Sequence, residues 1–202
     1  MFSDVVSRFF FSRFLLEKSR ATRLAYLGVF TALAVVANIF SIDPDPSLKI
    51  SFTYLVAFFA GTFFGPVSGF AICFLGDFLG FLINAGGGTY WILTGVCSGL
   101  FAFIPGVVMN FLPLSFRGAV YLKAAISVLL MYALVTCGLG AYSDNLYVKL
   151  VVYAGREYGK AFYVYLGGKI VFASIVSALN YALVFLLIPL LNSVKPLKIK
   201  IA

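Results

Sequence analysis

The stretch LKISFTYLVAFFAGTFFGPVSGFAICFLGDFLGFLINAGGGTYWILTGVCSGL, Leu48 to Leu100, decides the fold. It is apolar almost throughout, turns back at Gly65-Pro66 and at Gly86-Gly87-Gly88, and carries one carboxylate, Asp77. An ionised Asp near the middle of a membrane helix costs roughly 2.5 to 3.5 kcal/mol, so it faces the protein interior or a watery cavity. Gly61, Gly65 and Gly69 recur every fourth residue, as do Gly76 with Gly80 and Gly95 with Gly99. In lipid no hydrophobic force draws helices together, and small residues at this spacing let backbones approach closely instead.

Composition extends that reading to the whole chain of 202 residues, which is 62% hydrophobic and only 11% charged, with a mean hydropathy of +1.05. Soluble domains carry about a quarter charged residues, so this is an integral membrane protein. Apolar runs of about 20 residues favour helices over a β-barrel. The expected fold is all-α: a bundle of six transmembrane helices over residues 21–192, preceded by a basic amphipathic segment at 1–20 and followed by a basic tail at 193–202.

There is no histidine, which removes the commonest general base and metal ligand. Cys73, Cys97 and Cys137 lie in apolar segments without paired metal-ligand spacing. No phosphate-binding G-x-x-x-x-G-K-[ST] string occurs. The sequence therefore predicts no catalytic residue, no metal and no cofactor, and any ATP that drives it belongs to another subunit.

Phe2, Val5, Val6, Phe9, Phe10 and Phe14 recur at helical spacing among Arg8, Arg13, Lys18 and Arg20, as in a helix lying on the inner membrane surface. The expected spans are 21–42, 49–64, 67–84, 90–112, 120–140 and 167–191. Asp43-Pro44-Asp45-Pro46 ends the first, Pro105-Gly106 loosens the fourth, and the polar, aromatic stretch 141–166 reads as a lid. With both termini cytoplasmic, the inner side holds ten cations (Arg8, Arg13, Lys18, Arg20, Arg23, Arg117, Lys123, Lys195, Lys198, Lys200) and the outer side five (Lys49, Lys149, Arg156, Lys160, Lys169). The positive-inside rule favours that orientation in the cell membrane, and the net charge of +8 reflects orientation in lipid rather than nucleic-acid binding.

Five segments, LGVFTALAVVANIF (27–40), LKISF (48–52), AGTFFGPVSGF (60–70), LGDFLGFL (75–82) and LTGVCSGLF (93–101), resemble the substrate-binding S component of energy-coupling factor (ECF) vitamin transporters, most closely the folate-type branch. The resemblance implies a vitamin-binding subunit that docks on a transmembrane coupling subunit carrying two cytoplasmic ATPases. It places docking on the small residues Gly28 and Ala32 of the first helix. It gathers Asn84, Tyr90, Trp91, Thr94, Tyr132, Asn145, Lys169 and Asn180 at an outward substrate site, with Arg156 and Lys160 on the lid. Trp91 can stack on a flat ring, Asn can donate and accept along a pterin edge, and the cations can meet a carboxylate tail. Asp77, between Gly76 and Gly80, is expected to be architectural.

The chain departs from the folate-type pattern in reading GGGTYWILTG (86–95), without proline, before the fourth helix, and Asn38-Ile39 where some members have arginine. Folate or a related pterin, riboflavin, another flat heterocycle and an amino-acid-like molecule all stay open as ligand. A membrane-embedded transferase would need more reactive groups than one intramembrane acid supplies. A stand-alone secondary transporter would be expected to show an inverted repeat, and none is evident.

Overall fold

A computed structural model of the chain describes residues 9–40, 42–45, 48–50, 52–84, 88–114, 116, 118–153 and 162–193. The elements are α1 (Arg13–Leu16), α2 (Arg20–Ile39), β1 (Ile42–Asp45), β2 (Leu48–Ile50), α3 (Thr53–Phe64), α4 (Pro66–Ile83), α5 (Ile92–Phe111), α6 (119–152) and α7 (Phe162–Ser193). Four of these, α2, α4, α5 and α6, are long and apolar enough to cross a membrane. Two shorter apolar segments, α3 and residues 173–189 of α7, accompany them.

The hub is α3. Every residue from Val56 to Phe64 is buried, as expected of a helix that is apolar all round. It is short because Gly65 follows it at φ +96°, a backbone region that glycine enters without steric cost. Pro66 then starts α4, where a missing N–H is harmless. The seam this reversal creates is closed by glycine on both sides. A Cβ on Gly61 would lie 1.9 Å from the Ala102 carbonyl oxygen of α5, one on Gly69 would lie 2.7 Å from Gly61 Cα, and one on Gly106 would meet Pro66 Cα at 2.7 Å. A second seam joins α2 to α4, where Cβ atoms on Gly76 and Gly80 would meet the Cβ atoms of Ala34 and Asn38 at 2.4 and 2.9 Å. In a third, Gly95 and Gly99 of α5 make room for the rings of Phe74 and Phe70.

The N-terminal segment is tied to the α3–α4 turn. The last carbonyls of a helix have no partner of their own; here Ser12 N–H donates to Phe64 O at 2.9 Å and Ser12 Oγ donates to Phe63 O. Ser68 Oγ returns a bond to Phe10 O at 2.5 Å. Phe9 meets Phe103 and Phe111 edge-on, and Leu15 is wholly buried. Of the expected surface helix, residues 1–8 lie outside the described residues, while 9–19 are docked against the bundle.

Three expectations are corrected. The acid-proline stretch is not a plain loop: β1 pairs antiparallel with β2, Ile42 opposite Ile50 and Asp45 opposite Leu48, so an otherwise helical fold carries a two-stranded ribbon. Proline bars a helix there but is tolerated in an edge strand, and Lys49 consequently lies on a strand rather than at the start of α3. Helix α6 does not stop at Gly140 but continues to Val152. Its 34 residues would extend about 50 Å at α-helical rise, beyond a hydrocarbon core of about 30 Å, so much of the expected lid is the end of a helix.

These seams predict that Gly61→Ala, which must push α3 and α5 apart, lowers stability by about 1–3 kcal/mol. Thermal unfolding in detergent measures this, with Gly28→Ala, whose Cβ would meet nothing within 4 Å, expected to leave the midpoint unchanged.

Candidate functional site

Two polar groupings interrupt the apolar interior. The first surrounds Asp77, which is 6% exposed. Its Oδ1 accepts from Asn38 Nδ2 of α2 at 2.7 Å and from Ser98 Oγ of α5 at 3.2 Å. Its Oδ2 accepts from Tyr90 Oη at 3.2 Å. One carboxylate thereby ties α2, α4, α5 and the strand of chain entering α5, with three donors satisfying it, as a buried acid requires. Burial, and then the Asp77 charge, push the Tyr90 phenol up from its ordinary range, so it stays a donor. Tyr90 also packs against Phe78 and Phe81.

The second grouping lies between α3, α5, α6 and α7. Trp91, at the start of α5, donates from Nε1 to Ser143 Oγ of α6 at 2.9 Å and meets the Tyr147 ring edge-on at 5.8 Å. Tyr132 of α6 shares a 2.5 Å hydrogen bond with Ser174 of α7. Tyr54 of α3 packs on Phe101 and Tyr181, with centroids 4.4 and 6.3 Å apart. Thr136 stands beside Tyr54, and Ser177 beside Tyr181. Thr136 Oγ1, Asn145 Nδ2, Ser177 Oγ and Tyr181 Oη are buried without a well-formed hydrogen bond among the described residues, although the Thr136 hydroxyl lies within reach of Tyr54 and that of Ser177 within reach of Tyr181. Buried polar groups are nearly always paired, and an unmet one costs about 1–3 kcal/mol. A concentration of them beside aromatic faces is what a chamber presents before a polar, ring-bearing ligand supplies the missing partners.

Of the expected residues, Trp91, Tyr132, Asn145 and Asn180 lie on or at the start of the helices that carry this grouping. Asn180 is 1% exposed and donates to Val176 O at 3.0 Å. Thr94 sits half-buried in the first turn of α5, its N–H bonded to Trp91 O. Tyr90 belongs instead to the Asp77 grouping. Asn84 is exposed and ends α4, its N–H shared between Gly80 O and Phe81 O. Lys169 takes a place on α7; Arg156 and Lys160 lie outside the described residues. Sequence reasoning missed Tyr54, Thr136, Ser143, Ser177 and Tyr181, whose only signal was a hydroxyl recurring within apolar runs.

Gly28 and Ala32 are exposed on α2, on a side away from Ala34 and Asn38, and flanked by Leu24, Val29, Leu33 and Val36, which are 45–70% exposed.

Removing the acceptor shared by three helices has a defined cost. Asp77→Ala strands the Asn38 amide and the Ser98 hydroxyl and is expected to cost at least about 1–3 kcal/mol, whereas Asp77→Asn keeps one carbonyl acceptor and should lose less. Thermal midpoints of the two purified variants check the order.

Comparison with known proteins places this architecture. Residues 22–188 match the family model described as ECF transporter, substrate-specific component. The fold is similar to that of a crystal structure of FolT bound with folic acid, with a TM-score of 0.63 and 20% sequence identity, covering 81% of this chain and 90% of that one. A Mycoplasma pneumoniae protein described as an uncharacterized MG313 homolog is 35% identical over 85 residues, 42% of this chain and 29% of its own length. A UPF0397 protein of Streptococcus gordonii is 37% identical over 87 residues, 42% of this chain and 45% of its own length. The match therefore spans less than half of either relative. Because the family match runs through nearly the whole helical bundle, this multi-pass membrane protein belongs to the ECF transporter substrate-specific components, which are transporter subunits and not enzymes.

Proposed function

We propose that the chain captures a vitamin at an outward-facing chamber and delivers it through an ATP-driven importer whose coupling subunit and two ATPases are separate proteins. One observation carries the reading: the buried, unmet polar atoms of Thr136, Asn145, Ser177 and Tyr181 beside the aromatic rings of Tyr54 and Trp91, in a chain of this family. Such a chamber recognises a flat ring through its faces and a polar edge through hydroxyls and amides. Folate or a related pterin is the first choice of ligand, supported by the similar fold of the protein whose structure was solved with folic acid. Riboflavin or another flat heterocycle fits the same chemistry. Arg156, Lys160 and Lys169 are the cations to meet a carboxylate tail.

In this reading α3 and α7 complete six spans with α2, α4, α5 and α6, and both termini face the cytoplasm. Trp91 and the far end of α6 then lie outside, opposite the basic N-terminal segment. Docking falls to Gly28 and Ala32, where exposed small residues one turn apart leave a groove for a helix of the coupling subunit. Asp77 holds the helices around both surfaces.

Mass spectrometry of the small molecule retained after gentle purification from rich medium is expected to find a pteridine; a lipid product would defeat the proposal. Replacing Gly28 and Ala32 together by Leu should abolish uptake by whole cells while leaving ligand binding to the isolated subunit intact. Loss of binding with assembly preserved would reverse the assignment of that surface.

A further inference from the structure

Helix α6 is not wound uniformly. Residues Met131–Gly140 are wound as a π-helix between α-helical flanks Ala119–Leu130 and Ala141–Tyr147, and a second π run, Val148–Val152, ends the helix. Runs of π winding are rare, and single turns concentrate at functional sites. The burial pattern records the change. In an α-helix running on from Met131, the inward face would continue through Val135, Gly138 and Tyr142. Gly138 is instead exposed and Tyr142 is 56% exposed. The buried positions are Met131, Val135, Thr136 and Ala141, and then Ser143 and Asn145, so that beyond Val135 the inward face passes to Thr136 and Ala141.

Gly140 closes the turn that makes this shift. A Cβ there would lie 2.7 Å from the carbonyl oxygen of Val135, five residues back, whereas one on Gly138 would lie an ordinary 3.4 Å from Ala133 O. Three residues beyond Gly140, Ser143 Oγ accepts from Trp91 Nε1. We infer that Gly140 is a positioning residue of the candidate site: it permits the wide turn that sets the register of α6, so that Ser143 after it meets Trp91. With a side chain at 140, the turn from Val135 rewinds toward four-residue closure. The outer end of α6 then rotates by about one residue, carrying Ser143 away from Trp91.

This deepens the reading of the chamber as a ligand site, but its test needs no ligand. Trp91 is the only tryptophan, so the emission of ligand-free protein in detergent reports its bond to Ser143. Ser143→Ala gives the emission that marks loss of the bond. Gly140→Ala is expected to reproduce that emission, and Gly138→Ala to retain the wild-type spectrum. Deleting the exposed Gly138 from the Gly140→Ala chain shortens the rewound turn by one residue and should return Ser143 to Trp91 and restore the spectrum. Wild-type emission in Gly140→Ala overturns the inference. So does an altered spectrum, or a failure to fold, that the deletion does not repair, since a residue needed only for packing would not be rescued by restoring register.

Discussion

Close backbone contact across glycine holds this bundle together. In water the 62% hydrophobic composition would itself drive collapse, but in a bilayer an apolar side chain loses nothing by facing lipid. What remains is dispersion between surfaces that fit, and each atom pair contributes little unless many are brought to contact. Gly61, Gly69 and Gly106 let α3, α4 and α5 meet main chain to main chain, and Gly76 and Gly80 do the same for α2 against α4. The exposed faces of α4 and α6, with Leu82, Ile83, Leu129 and Leu134 outermost, are then free to be featureless hydrocarbon.

That division sorts the polar residues by purpose. Several polar groups that serve the bundle are satisfied: Asp77 by donors from three segments, the end of α3 by Ser12, and the end of α1 by Arg23, which donates to Lys18 O and Leu16 O; Lys123 of α6, by contrast, is buried without a partner for its Nζ among the described residues. Between α3, α5, α6 and α7 the pattern differs. There hydroxyls and an amide are buried yet unmet, a cost that a purely structural interior has no reason to carry.

In the proposed function, this arrangement separates capture from coupling. The chamber is enclosed by the C-terminal helices, with α3 as its inner wall, while the open small-residue face lies on α2. The buried α3 and the half-buried α4 are joined to α2 by the Gly76 and Gly80 seam and to α5 by the Gly61 and Gly106 seam. A ligand held by α6 and a partner seated on α2 would therefore act on one continuous set of close-packed backbones.

Membrane class, the helical character of the bundle, the reversal at Gly65-Pro66 and the glycine spacing are all legible in the residues, because hydropathy over about 20 positions and the conformational freedom of glycine are local properties. Asp77 was likewise conspicuous as one carboxylate in an apolar helix. Its partners were not, since Asn38, Tyr90 and Ser98 come from different segments and only the packing of α2, α4 and α5 brings them together. The ribbon at Ile42–Ile50 and the extension of α6 escaped for a related reason: proline excludes a helix without naming its replacement, and a run of mixed aromatic and polar residues suits a loop or a long helix equally until neighbours decide. The chamber depended most on tertiary structure. Tyr54, Thr136, Ser177 and Tyr181 are unremarked hydroxyls in apolar sequence, and they become a site only where the π winding of α6 and the placement of α7 turn them to one interior.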